Sequence, residues 1–180
     1  KRKADLGAFF RSIHATLNHI LWGDRIWLWR FTGEPFAFGK LGEDMYADFK
    51  TLRGEREKTD EFILDWARDL REDWLAGPFE FTSVQDGSTR RGPAWVFVAQ
   101  LFNHQTHHRG QVTTLIKQLG YEPGVTDIPW LPGAVEVSAA WRSEICPHPR
   151  PSPEGRRENI FCAVRCIEQS ARCVLRFTGC

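Results

Sequence analysis

Cysteine is absent before Cys146: all five cysteines, Cys146, Cys162, Cys166, Cys173 and Cys180, fall at the end of a 180-residue chain. A body without cysteine needs no disulfide framework, which fits a reducing cytoplasm, and five thiols do not divide into pairs. Long apolar runs are also missing. The longest, Pro93 to Phe102, is interrupted by Gln100 and falls far short of the roughly 20 residues a membrane-spanning helix needs. No sign of charge dominates: 24 Lys and Arg face 23 Asp and Glu, a net charge of +1. With no basic stripe, a nucleic-acid partner is not expected. Lys1-Arg2-Lys3 is followed by no apolar segment, which argues against a secretory signal. The chain opens on Lys1 and not on Met, which predicts processing or a fragment. Lysine is missing after residue 132, where seven arginines and every cysteine are found.

What is present is an aromatic, helix-forming body, with 42% hydrophobic residues, eight Trp and thirteen Phe. A chain of this size can bury one substantial core. Ile13, Leu17, Ile20, Asp24 and Trp27, joined by Phe10 and Leu28, predict a first helix from about Gly7 to Phe31. Thr32-Gly33-Glu34-Pro35 ends it. After an aromatic, Gly-rich loop, Glu43 to Ala76 reads as one long helix or two stacked ones, with a polar middle around Arg53 to Asp60. Phe79 to Arg91 predicts a small hairpin turning at Asp86-Gly87. Pro93 suits the first turn of a last helix running to Leu119, with Gly120 in the capping position and Pro123 beyond. These elements predict an all-α bundle with a small hairpin over residues 1–132. Residues 133–180 read as an irregular Arg- and Cys-rich tail. Its one candidate element is an amphipathic helix through Ile160, Val164, Ile167, Ala171 and Val174. Cys162, Cys166, Cys173 and Cys180 would share the opposite face of that helix, and four thiolates on one helix face cannot close a tetrahedron, so no zinc site is expected there.

Five of the six histidines cluster, as His14 and His19 and as His104, His107 and His108. On a helix His104 and His108 differ by about 40° and share a face with Phe97, Leu101, Leu115 and Leu119. Two inward imidazoles one turn apart can converge on a divalent ion, or can be hydrogen-bonded core histidines. His107 lies toward the flank. His14 and His19 are about 140° apart, so one site cannot take both. His19 is the better third ligand, because Ser12, Thr16 and Gly23 on its strip are small, letting another helix come close or leaving space for a ligand above the ring. Three histidines without a fourth protein ligand describe a catalytic type of site with an open position. Gln105 stands where a zinc protease needs a glutamate base, so proteolysis is disfavoured. Asp24, on an apolar face, needs a partner: it can orient a histidine, pair with Arg109, or form a helix–helix ion pair without functional role. Gln111 lies near the His104 face, where it can donate to a substrate or satisfy backbone. Trp22, Trp27, Trp29 and Trp95 are candidates for a pocket wall, with most of them expected in the core.

The stretches Asn18-His19-Ile20-Leu21-Trp22-Gly23-Asp24-Arg25-Ile26-Trp27-Leu28 and Leu101-Phe102-Asn103-His104-Gln105-Thr106-His107-His108-Arg109-Gly110-Gln111 resemble the two hallmark segments of the DinB family, over about Gly7 to Leu131. The resemblance implies an up-down four-helix bundle with a metal held by three histidines, one from the second helix and a pair spaced by four from the fourth. It implies His19, His104 and His108 as ligands. The family's first helix would precede Gly7 and has no counterpart here, and the tail after about Pro132 resembles nothing in the family. Either the tail helix fills the vacant slot or the tail is an unrelated extension, which its lack of lysine favours.

The expected function is that of a metal-dependent enzyme on an unknown small molecule. A thiol-dependent transferase, with a low-molecular-weight thiol as co-substrate, and a metal-hydroxide hydrolase both fit. The alternative is a non-catalytic metal-binding or stress-response protein with a structural site. Zinc or nickel is the expected ion, with iron or copper also compatible with imidazole. A cytoplasmic location and a homodimer complete the expectations.

Overall fold

The computed structural model describes residues 1–130. The tail helix proposed around Ile160 to Leu175, the cysteines and His148 lie outside the described residues. Four helices and one hairpin follow in order: α1 (Ile13–Thr32), α2 (Phe49–Arg68), α3 (Glu72–Ala76), β1 (Pro78–Thr82), β2 (Thr89–Pro93) and α4 (Ala94–Gln118), with a single 3-10 turn at Ile128–Trp130. The result is a helical bundle carrying a small antiparallel hairpin. Among the described residues no helix is long and apolar enough to cross a membrane.

The first helix starts later than its periodicity suggested. Gly7 and Arg11 have φ of 70° and 64°, values that no right-handed helix accommodates. Arg11 N–H donates to the Ala8 carbonyl at 2.7 Å, closing a tight turn. Ser12 then caps α1 by accepting from Ala15 N–H at 3.1 Å, which satisfies one of the unpaired donors of a helix start. Phe10 therefore belongs to a turn in front of the helix and not to its apolar stripe. At the other end Gly33 takes φ 76° and returns its N–H to the Trp29 carbonyl at 2.8 Å.

The stretch from Glu43 resolves into a loop to residue 48, then α2 and the short α3. Asp48 sets the start of α2 by accepting from Thr51 N–H at 2.8 Å. The hairpin pairs Phe79 with Gly92 and Phe81 with Arg90, and turns through Gly87 at φ 69°. Pro93 precedes the first residue of α4, where its missing N–H costs nothing.

Helix α1 packs against both α4 and α2. Near its start Ile13 and Ile20 meet Val112, Leu115 and Ile116 of α4. Further along, Ile26 and Trp27 meet Leu101, and Leu28 meets Ile63 and Ala67 of α2. Phe79 and Phe81 of the hairpin close over this end, Phe81 meeting Trp27 edge-on at 5.0 Å and Phe97 at 5.4 Å. The α1–α4 seam is thus apolar at both ends, and its middle is where the histidines fall.

Candidate metal centre

His19 on α1 and His104 and His108 on α4 bring one ring nitrogen each to within 4.8 Å of one another. His19 Nε2 and His104 Nε2 are 3.0 Å apart. Two nitrogens bound to one tetrahedral ion at 2.0–2.1 Å would be about 3.3 Å apart, so the pair stands close to a chelating separation. The three ring centroids are 4.4 to 4.9 Å from each other.

The surroundings keep the rings neutral, the form that binds a metal. Burial first, and then His108, push the His19 pKa down to about 4. Burial pushes His104 down to about 3, helped by His108, His19 and His107. His108 is also lowered by burial, against a hydrogen bond to Gln111 that raises it. That bond, 2.8 Å from Nδ1 to Gln111 Oε1, requires the proton on Nδ1 and so leaves the Nε2 lone pair free. The Gln111 amide in turn donates to His107 Nε2 at 3.2 Å. Gln111 therefore orients a ring of the cluster, a support that metal-binding histidines commonly have. His107 supports Gln111 from outside the cluster. His14 stands apart, its Nε2 2.9 Å from the Tyr46 carbonyl.

Two neighbours shape the cluster, Phe10, whose place the sequence hid, and Gly23, which the small-residue strip of His19 had marked. Phe10 stacks on His19 with centroids 3.9 Å apart and meets His108 edge-on at 5.5 Å, so the turn before α1 roofs the site. Gly23 gives His104 its place. A Cβ there would stand 2.9 Å from His104 Nδ1 and closer still to Cε1, inside any tolerable contact. Gly23→Ala is expected to displace the ring, cost about 1–3 kcal/mol through overpacking and weaken metal binding. The check is a double-mutant cycle. In a His104→Ala background the Gly23→Ala cost should vanish, and an unchanged cost would show that Gly23 serves something else.

Asp24, fully buried, is held by Arg56 of α2, which also bonds Asp60 at 2.6 Å. Arg109, the partner considered from sequence, acts on Asp24 more weakly than Arg56 does. Arg109 donates to Gln105 at 3.4 Å and to Thr106 at 3.0 Å. The reason is positional: Asp24 faces the α1–α2 contact, where Arg56 and Thr59 are buried with it. Toward α4 it interacts with Gln105, beside His104, and its charge acts on His108.

The histidines open into a cavity of about 900 Å³. Trp22 and Trp27 line it, whereas Trp29 and Trp95 are exposed. No Asp, Glu or Cys occurs among the described residues that line it. Three neutral nitrogen donors on one side and an open cavity on the other fit a divalent ion with a free coordination position.

The architecture and the centre together define a helical-bundle protein with a three-histidine site able to chelate a divalent metal. The chain belongs to the DinB family, whose profile matches residues 1–142. No curated protein and no solved structure matches it.

Proposed function

We propose that the protein is a metal-dependent enzyme that joins a low-molecular-weight thiol to a small, largely apolar electrophile, the thiol giving up its proton and its sulfur displacing a leaving group from carbon. The observation that carries this reading is the open face of the three-histidine cluster toward a roomy cavity without an acidic or cysteine side chain in its described lining. A structural site would ordinarily be closed by a fourth protein ligand. Hydrolysis by metal-bound hydroxide would need no side-chain base and is the reading that the test below sets against this one. A divalent ion bound there would supply Lewis acidity, lowering the pKa of a thiol in its free position. The chain's own residues have simpler tasks. His19, His104 and His108 hold the ion, Gln111 fixes the His108 ring, and Phe10 with the cavity aromatics excludes water and packs the substrate.

The test is spectroscopic before it is catalytic. Protein loaded with cobalt(II) should develop a thiolate-to-cobalt charge-transfer absorption when a small thiol is added, and thiol consumption should then follow with a suitable electrophile. Full cobalt occupancy without any such absorption, together with ester or amide hydrolysis, would replace the transferase reading by the hydrolytic one.

A further inference from the structure

The cavity that receives the histidines carries a second polar feature. Arg30 lies on α1 eleven positions after His19, which on a helix is about 20° round and about 16 Å along, so the two share a face. Its guanidinium sits over two rings, 4.7 Å from the Trp27 centroid and 4.2 Å from that of Phe81, and it lines the same cavity as the imidazoles. Among the described residues Arg30 makes no ion pair, and its Nε is buried without a hydrogen-bond partner. Burial lowers its pKa.

The rings attract the cation, and the last turn of α1 favours positive charge. Both help to place the side chain. Neither gives the Nε and Nη donors the in-plane acceptor their fork is shaped to meet, and a carboxylate does so with two parallel bonds. The charge of the cavity points the same way. Arg30 and Arg90 are its only charged side chains among the described residues, and Arg90 is tied to Asp86 at 2.9 Å. Arg30 is the cation left for a ligand.

We infer that Arg30 anchors the carboxylate of an elongated, largely apolar small molecule whose other end reaches the histidine centre. The second half of this statement rests on the enzymatic reading above, whereas the anchoring needs no metal. The long separation on α1 sets the shape of the ligand: an anionic head on Arg30, an apolar body along Trp27 and Phe97, and a reactive end beside His104.

Calorimetric titration of the full chain with octanoate and with octanamide tests this, first after removal of metal by a chelator and then with zinc restored. The acid should bind the metal-free protein roughly tenfold or more tightly than the amide, as expected for a charge-assisted hydrogen-bonded pair. Arg30→Gln should abolish the difference and Arg30→Lys should keep part of it. Equal binding of acid and amide to the unmodified protein would overturn the inference without relying on any variant. So would a preference that survives Arg30→Gln, or one that appears only with zinc, since the carboxylate would then be sitting on the metal. Elemental analysis separates the two claims: a chain that takes up no metal but still prefers octanoate would remove the enzymatic reading and leave the Arg30 site standing.

Discussion

His104→Ala is expected to strip the protein of its divalent ion, whereas His107→Ala leaves occupancy nearly unchanged. The two residues are three positions apart on α4, and both line the cavity, so proximity alone does not separate them. Geometry does. His104 Nε2 stands 3.0 Å from His19 Nε2, while His107 meets the His108 ring edge-on at 4.7 Å and bonds the Gln111 amide without joining the three converging nitrogens. Losing His104 leaves two donors, too few for a firm three-point grip. Losing the Gln111 bond frees the His108 ring but removes no donor, and such supporting partners cost roughly 10–100-fold in metal affinity. The order of loss should therefore be His104→Ala and His108→Ala most, Gln111→Leu intermediate and His107→Ala least. Elemental analysis of purified protein, with a competing chelator to rank affinities, reads this order. The intact chain should carry close to one ion. Equal depletion by His107→Ala and His108→Ala would mean that a different pair of rings holds the metal.

The histidines could be placed from sequence because a helix repeats its faces. His104 and His108 fall on the stripe that Leu101, Val112 and Leu115 bury, and His19 falls on the strip with Gly23 that lets α4 come close. Helical spacing carries that information without knowledge of the partner. It carries nothing about Phe10, whose place on the extrapolated stripe was coincidental: positive φ at Gly7 and Arg11 ends the regular geometry before it. Its stacking on His19 depends on a turn whose shape no periodicity encodes. Arg56, Thr59 and Asp60 escaped for the opposite reason. Polar residues in the middle of an amphipathic helix read as its solvent face, and a buried ion network has the same pattern of letters. A signal did exist in Asp24. A carboxylate on an apolar stripe demands a cation, and the arginine one turn before Asp60 was available as well as Arg109.

Arg56→Met is expected to be the most destabilising single change outside the histidines. Arg56 and Asp24 are 8% and 0% exposed in their side chains, and Asp60 is 3% exposed. A buried triad of this kind contributes little net stability compared with well-packed apolar residues, because desolvation offsets attraction. Removing only the cation is different, since two carboxylates then remain in the α1–α2 contact without their shared partner. Breaking such a group costs about 3–5 kcal/mol, equivalent to a fall in melting temperature on the order of 10 °C for a domain of this size. The pH dependence carries a definite sign. Burial already raises the Asp24 pKa against the pull of Arg56, and without Arg56 it rises further. A carboxyl with a raised folded-state pKa binds protons more readily in the folded than in the unfolded protein. Its penalty is therefore small below the unfolded value near 3.8 and grows as pH rises through the folded one. Denaturant titrations of Arg56→Met should show a deficit that widens with pH above that value. Replacing Asp24, Arg56 and Asp60 together by Leu, Met and Leu should recover most of the loss, because no uncompensated charge is left. Metal content should survive in every variant that folds, since the three imidazoles span α1 and α4 while the triad joins α1 to α2. A single replacement of Arg56 as stable as the parent at neutral pH would show that the carboxylates find another cation, Arg109 being the nearest by its charge on Asp24.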